Sequence, residues 1–126
     1  MESEVQAMFE TRLQEAKEKP TYNEESFKEI LKCDLRSQCN LFVQLMKAFC
    51  EKYMIVKQAE FDQSNMKGNS IKTLALLRTQ QSYIRLYRSQ LFQIEMDIQE
   101  CFYKVKLWSE FLACENPIPG YVLPEF

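Results

Sequence analysis

Five cysteines carry most of the chemistry this sequence could do: Cys33, Cys39, Cys50, Cys101 and Cys114. A thiol can act as a nucleophile, a metal ligand, a disulfide partner or a small apolar core group. The chain has no histidine. That removes every Cys–His, Ser–His and His–metal arrangement at once. No two cysteines stand in a Cys-x-x-Cys arrangement, so neither a zinc ribbon nor a thioredoxin-type couple is expected. An odd count leaves at least one thiol outside any intramolecular disulfide. Two readings stay open: small buried residues, or one structural disulfide.

The second candidate chemistry is electrostatic. Between Asp62 and Glu95 there is no acidic residue but five basic ones, Lys67, Lys72, Arg78, Arg85 and Arg88. Arg78 and Arg85 share a helix face, and Arg88 follows one turn later. With Gln81, Tyr83 and Tyr87, such a stretch could meet acidic lipid headgroups, RNA or an acidic protein surface. A solvated face that balances the acidic first segment, or a protein contact, explains it better, and nucleic acid is not expected. Glu95, Asp97 and Glu100 lie close in sequence, but no Gly-rich loop or acid at catalytic spacing accompanies them, so they read as helix surface. No catalytic, cofactor-binding or metal-ligating residue is assigned. The chain is not expected to be an enzyme, and no cofactor is implied.

The elements that must position these residues are helical. The 126 residues suit one domain; 46% are hydrophobic and 27% charged, as in ordinary soluble proteins. There are only two glycines and four prolines, and the net charge is -2. So few turn formers argue against an all-β fold, and the charge implies no general affinity for polyanions. No apolar run approaches the ~18 residues of a membrane span. The acidic start, Met1-Glu2-Ser3-Glu4, lacks the basic residues and apolar stretch of a secretory signal.

Ser3 with Gln6 has the capping-box pattern, and Val5, Met8, Phe9, Leu13 and Ala16 recur at helical spacing. This predicts a helix over 4–19, ended by Pro20. Thr21 and Glu24 offer a second capping box for a short helix over 23–32. Asp34 then caps a helix over 35–62, in which Leu35, Cys39, Phe42, Met46, Phe49, Tyr53 and Val56 alternate steps of four and three. Gly68-Asn69 marks a turn. The last helix, 70–114, repeats Leu77, Ile84, Leu91, Ile98, Val105 and Leu112 every seven residues, with Gln80, Tyr87, Ile94, Cys101 and Trp108 as companions. It would span on the order of 65 Å, with one possible break near Asp97. Residues 115–126, rich in proline yet apolar, predict an extended tail.

Two heptad stripes joined by a short turn make a long antiparallel helical hairpin. The expected fold is therefore a single all-α domain: this hairpin, short N-terminal helices and the Pro-containing tail. Helix-rise arithmetic sets Cys33 and Cys101 at similar heights, about 50 Å from the turn. A disulfide needs Cα atoms within about 7 Å. On a straight hairpin Cys33–Cys101 or Cys39–Cys101 comes closest, whereas Cys39 and Cys114 lie roughly 30 Å apart unless the long helix bends near Asp97. The aromatic end of that helix overhangs its partner and must be covered. Trp108 and Phe111, with Ile118, Tyr121 and Phe126 of the tail, are the candidate partner contacts, although an aromatic cluster suits a core equally well.

Several short segments resemble one family. The stretch from Ser37 to Ala48 sets a cysteine, Cys39, before a Leu-aromatic pair, Leu41-Phe42, and a Leu-Met pair, Leu45-Met46. Glu95 to Glu100, then Trp108-Ser109-Glu110-Phe111 followed by Cys114 and a Pro-containing end, resemble further motifs, and Arg12-Leu13 and Pro20-Thr21 fall in similar places. The family is that of small coiled-coil, cysteine-motif proteins of the mitochondrial intermembrane space: the coiled-coil-domain-containing protein fifty-eight of animals and the Mix protein of yeast. The resemblance covers residues 10 to 118. It implies an all-α protein, imported without a cleaved presequence, oxidised after import and without enzyme activity. It also implies a structural or assembly subunit of a respiratory or import-related complex. Cys39 and Cys114 match the family's cysteines and are the candidate disulfide. The second cysteine expected further along the Cys39 helix is missing, where Gln58-Ala59-Glu60-Phe61 stands. Cys33, Cys50 and Cys101 are outside the family's pattern. If the family's pairing holds, a bend near Asp97 must bring Cys39 and Cys114 together. Rival expectations are a coiled-coil subunit of a cytosolic or nuclear assembly, and a lipid- or RNA-contacting module acting through residues 67–88.

Overall fold

The structure, a computed structural model, describes residues 1–66, 68 and 70–114. The expected all-α helical hairpin is what forms. Helix α1 covers Glu2–Glu18, α2 covers Glu24–Ser64 and α3 covers Ile71–Leu112. No strand occurs among the described residues. The predicted tail, with Ile118, Tyr121 and Phe126, lies outside them, as does Lys67.

The ends of the helices follow local chemistry. Helix α1 starts earlier than the capping box predicts. Ser3 is already helical, and the first bond runs from the Val5 N–H to the Met1 carbonyl. Two glutamates in the first turn, Glu2 and Glu4, suit the positive end of the helix dipole without a side-chain cap. Lys19 is extended (φ -76°, ψ 135°), as the residue before Pro20 must be. Asn23, not Thr21, caps α2: its Oδ1 accepts from the backbone N–H of Glu25 (2.9 Å) and Ser26 (3.2 Å).

The two helices predicted over 23–32 and 35–62 are one. No glycine or proline separates Lys32 from Leu35, so the register of Phe27, Leu31, Leu35 and Cys39 runs on unbroken. Asp34 sits inside the helix, where its carboxylate takes the Arg12 guanidinium at 2.5 Å rather than a backbone N–H. Gly68 adopts φ +117°, open to glycine and strained for any other residue. Ser70 Oγ then accepts from the Thr73 N–H (3.1 Å) and caps α3. Helix α3 passes through Asp97 without interruption.

Contacts divide the chain into two units: residues 1–44 with 98–126, and Leu45–Asp97. In the first, α2 and α3 run antiparallel. The Cys101 thiol reaches the Gln38 carbonyl (3.0 Å), and the Phe27 and Phe111 rings stand 6.1 Å apart. All three helices contribute to the core here. Leu31, Leu35, Cys39 and Phe42 of α2 are buried, as are Ile98, Cys101, Phe102, Val105 and Trp108 of α3. Helix α1 adds Val5 and Phe9. In the second unit the two helical arms of the hairpin are again antiparallel, tied by Lys52–Gln90 (2.6 Å) and Glu60–Arg88 (2.5 Å). Its buried hydrophobic residues are Val56 and Ile84.

Candidate functional site

Four of the five cysteines belong to the first unit, and Cys39, Cys101 and Cys114 come near one another there. Cys39 and Cys101 are buried, while Cys33, Cys50 and Cys114 are exposed. Burial, reinforced by Cys39 nearby, pushes the Cys101 thiol up to about 11. Burial and the neighbouring Cys114 push the Cys39 thiol up as well. Gln38 of α2 is level with Cys101, where helix-rise arithmetic set Cys33. That shift in register brings Cys39 beside Cys101. The chain end helps too. Ala113 turns left-handed (φ 52°), and the Cys114 N–H folds back onto the Ser109 carbonyl (2.9 Å). Cys114 thus comes within electrostatic reach of Cys39 although α3 does not break at Asp97. All five cysteines are thiols in this structure. Among the described residues no group of three or more Cys, Asp or Glu side chains could hold a metal ion.

The aromatic end of α3 serves the protein's own core. Phe9 of α1 sits 5.1 Å from the Trp108 ring and 5.3 Å from Phe111. Trp108 is buried and Phe111 half-buried, so of the two readings of the aromatic cluster, core or partner contact, Trp108 follows the core. Helix α1 supplies the cover that the overhang required. Lys106–Glu2 (3.8 Å) pins its start and Arg12–Asp34 holds it further along. The Trp108 Nε1 and the Ser109 hydroxyl are buried with no hydrogen-bond partner among the described residues.

The second unit is the reverse. Met54, Phe61, Tyr83, Leu86 and Phe92 all lie open, Phe92 at 65% exposure. Met46 and Tyr53, read as seam positions, are exposed as well. The basic residues Lys72, Arg78, Arg85 and Arg88 are exposed along α3. Arg88 bonds Glu60 and holds its carboxyl below the usual carboxylate range. Lys57 approaches Glu60 from α2 at 3.6 Å and lies 5.4 Å from the Tyr53 ring centre. Arg78 and Arg85 have no ion-pair partner among the described residues. No described helix is long and apolar enough to cross a membrane.

Comparisons of the chain with protein-family models, with curated proteins and with solved structures find no match.

Proposed function

We propose that this chain is a non-catalytic structural or assembly subunit of a mitochondrial protein complex, facing the intermembrane space and tied to the respiratory or import machinery. The observation that carries the subunit reading is the set of large apolar side chains left on both arms of Leu45–Asp97. Phe61 is 63% exposed and Met54 69%. Exposed apolar surface of this kind marks a site where another protein binds. The compartment rests on different support: the resemblance of the Cys39, Trp108–Phe111 and Cys114 segments, and the closeness of Cys39 to Cys114. In an oxidising compartment these two thiols become a disulfide. Phe111 and the tail residues Ile118, Tyr121 and Phe126 remain candidate contacts for the partner.

The rival is a subunit of a reduced cytosolic or nuclear assembly, in which all five cysteines stay thiols, as they are in this structure. The two readings separate when protein from its native source is alkylated without reductant and its intact mass taken. A peptide linking Cys39 to Cys114 is the expected result. Five alkylated thiols would remove the intermembrane-space reading and leave the reduced assembly.

A further inference from the structure

Helix α3 presents a second heptad stripe, distinct from its buried seam. Leu74, Arg78, Gln81, Arg85, Arg88 and Phe92 follow at steps of four and three, and every one is exposed. Such spacing keeps six side chains on one line along a helix. The line is apolar at both ends and cationic between them. Leu74 and Phe92 stand about 27 Å apart by helix rise, and Arg78 and Arg85 about 10 Å.

We propose that this stripe docks an acidic amphipathic helix of a partner protein, about five turns long, with carboxylates seven residues apart and apolar side chains at its two ends. The inference rests on the subunit reading above and specifies its contact. Charge complementarity carries it. No acidic residue occurs from Gln63 to Ile94, so the chain itself supplies Arg78 and Arg85 with no carboxylate from that segment. Their neighbour on the stripe shows what such a guanidinium takes here, since Arg88 binds the Glu60 carboxylate. Arginine's planar fork suits carboxylates in a partly desolvated interface. The stripe's width suits one helix laid along it, as in a coiled-coil seam.

Membrane and RNA fit less well. A helix lying on a membrane needs a broad apolar face with cations at its border, whereas here the cations occupy the middle of the line. Single-stranded RNA needs open aromatic platforms beside the cations. Tyr83 and Phe92 are open, but Phe92 stands only at the end of the cationic line, and Tyr83 lies off that line, paired with Tyr87 at 6.5 Å between ring centres.

The test uses the full chain and a fluorescein-labelled synthetic helix of about 18 residues with leucines at its ends and glutamates seven apart. Fluorescence anisotropy should show saturable binding that the Arg78→Glu/Arg85→Glu variant weakens at least tenfold. Replacing the peptide's glutamates by lysines should restore binding to that variant, which also reports that it is folded. Phosphatidylserine vesicles and a single-stranded RNA oligonucleotide are the comparison probes. Three results would overturn the proposal: no saturable binding of the acidic peptide, equal affinity in both proteins, or Arg78- and Arg85-dependent binding to vesicles or RNA alone. Migration of the native-source protein in a large assembly on a native gel is read separately. A monomer there sinks the subunit reading, whereas an assembly that persists with both arginines reversed sinks only the stripe.

Discussion

Ala113 holds a conformation that costs an L-residue about 1–2 kcal/mol. It stands at the end of α3 with φ 52°. The Cys114 N–H to Ser109 and the Ala113 N–H to Glu110 complete a Schellman ending, a place where glycine is the usual occupant. Ala113→Gly should therefore stabilise the protein by about 1 kcal/mol, read as a shift in urea midpoint at unchanged slope. Cys101 gives a pH-dependent prediction. Its thiol is raised to about 11 from an ordinary value of 9.0, so above pH 9 the unfolded chain loses the proton first. The folded state then binds more protons than the unfolded one, and stability falls as pH rises through that window. The difference in unfolding free energy between wild type and Cys101→Ala should be flat below pH 9. It should shrink by on the order of 2 kcal/mol towards pH 11. At pH 8 the exposed Cys33 and Cys50 should react with iodoacetamide well before Cys39 and Cys101.

At the scale of elements, α1 is the piece whose loss is most readily measured. Phe9 fills the space between Trp108 and Phe111, and Phe9→Ala should cost about 3–5 kcal/mol in urea denaturation. The helices themselves were legible in the sequence because periodicity of 3.5 to 3.6 residues is a strong signal. The buried or half-buried α3 series from Leu77 through Ile98 to Leu112 is the one the repeat predicts. Their ends were less legible. Ser3 and Asp34 have the chemistry of caps, but a cap works only where the backbone leaves the helix, and at both positions it stays helical. The exposure of Met46 and Tyr53 was not legible either. A heptad says which face looks inward, not how many neighbours stand there to cover it. The closeness of Cys39 to Cys114 depended on the register between α2 and α3 and on the turn at Ala113, and neither leaves a periodic trace. The basic stretch was visible from composition alone, and only the exposure of Leu74 and Phe92 turned it into a stripe.

Across the whole molecule, the two units differ in how they are held. Residues 1–44 with 98–126 have a three-helix core, whereas among the described residues of Leu45–Asp97 the buried large apolar groups are Val56 and Ile84. Amide protection follows buried contacts. In native-state hydrogen exchange the α2 and α3 segments of Leu45–Asp97 should therefore open at a lower free energy than those around Leu31 and Val105. Binding of an acidic helix to the Arg78–Arg85 stripe should raise protection there first.

Trp108 is the sole tryptophan, and its indole is buried against Phe9 with no hydrogen-bond partner among the described residues for Nε1. The molecule thus carries one fluorophore, seated where α1 meets α3. Its emission should be blue-shifted in the native protein. Release of α1, whether by Phe9→Ala or by mild denaturant, should move the emission to the red while α2 and α3 keep most of the helical dichroism. One spectrum then distinguishes undocking of the first helix from melting of the hairpin.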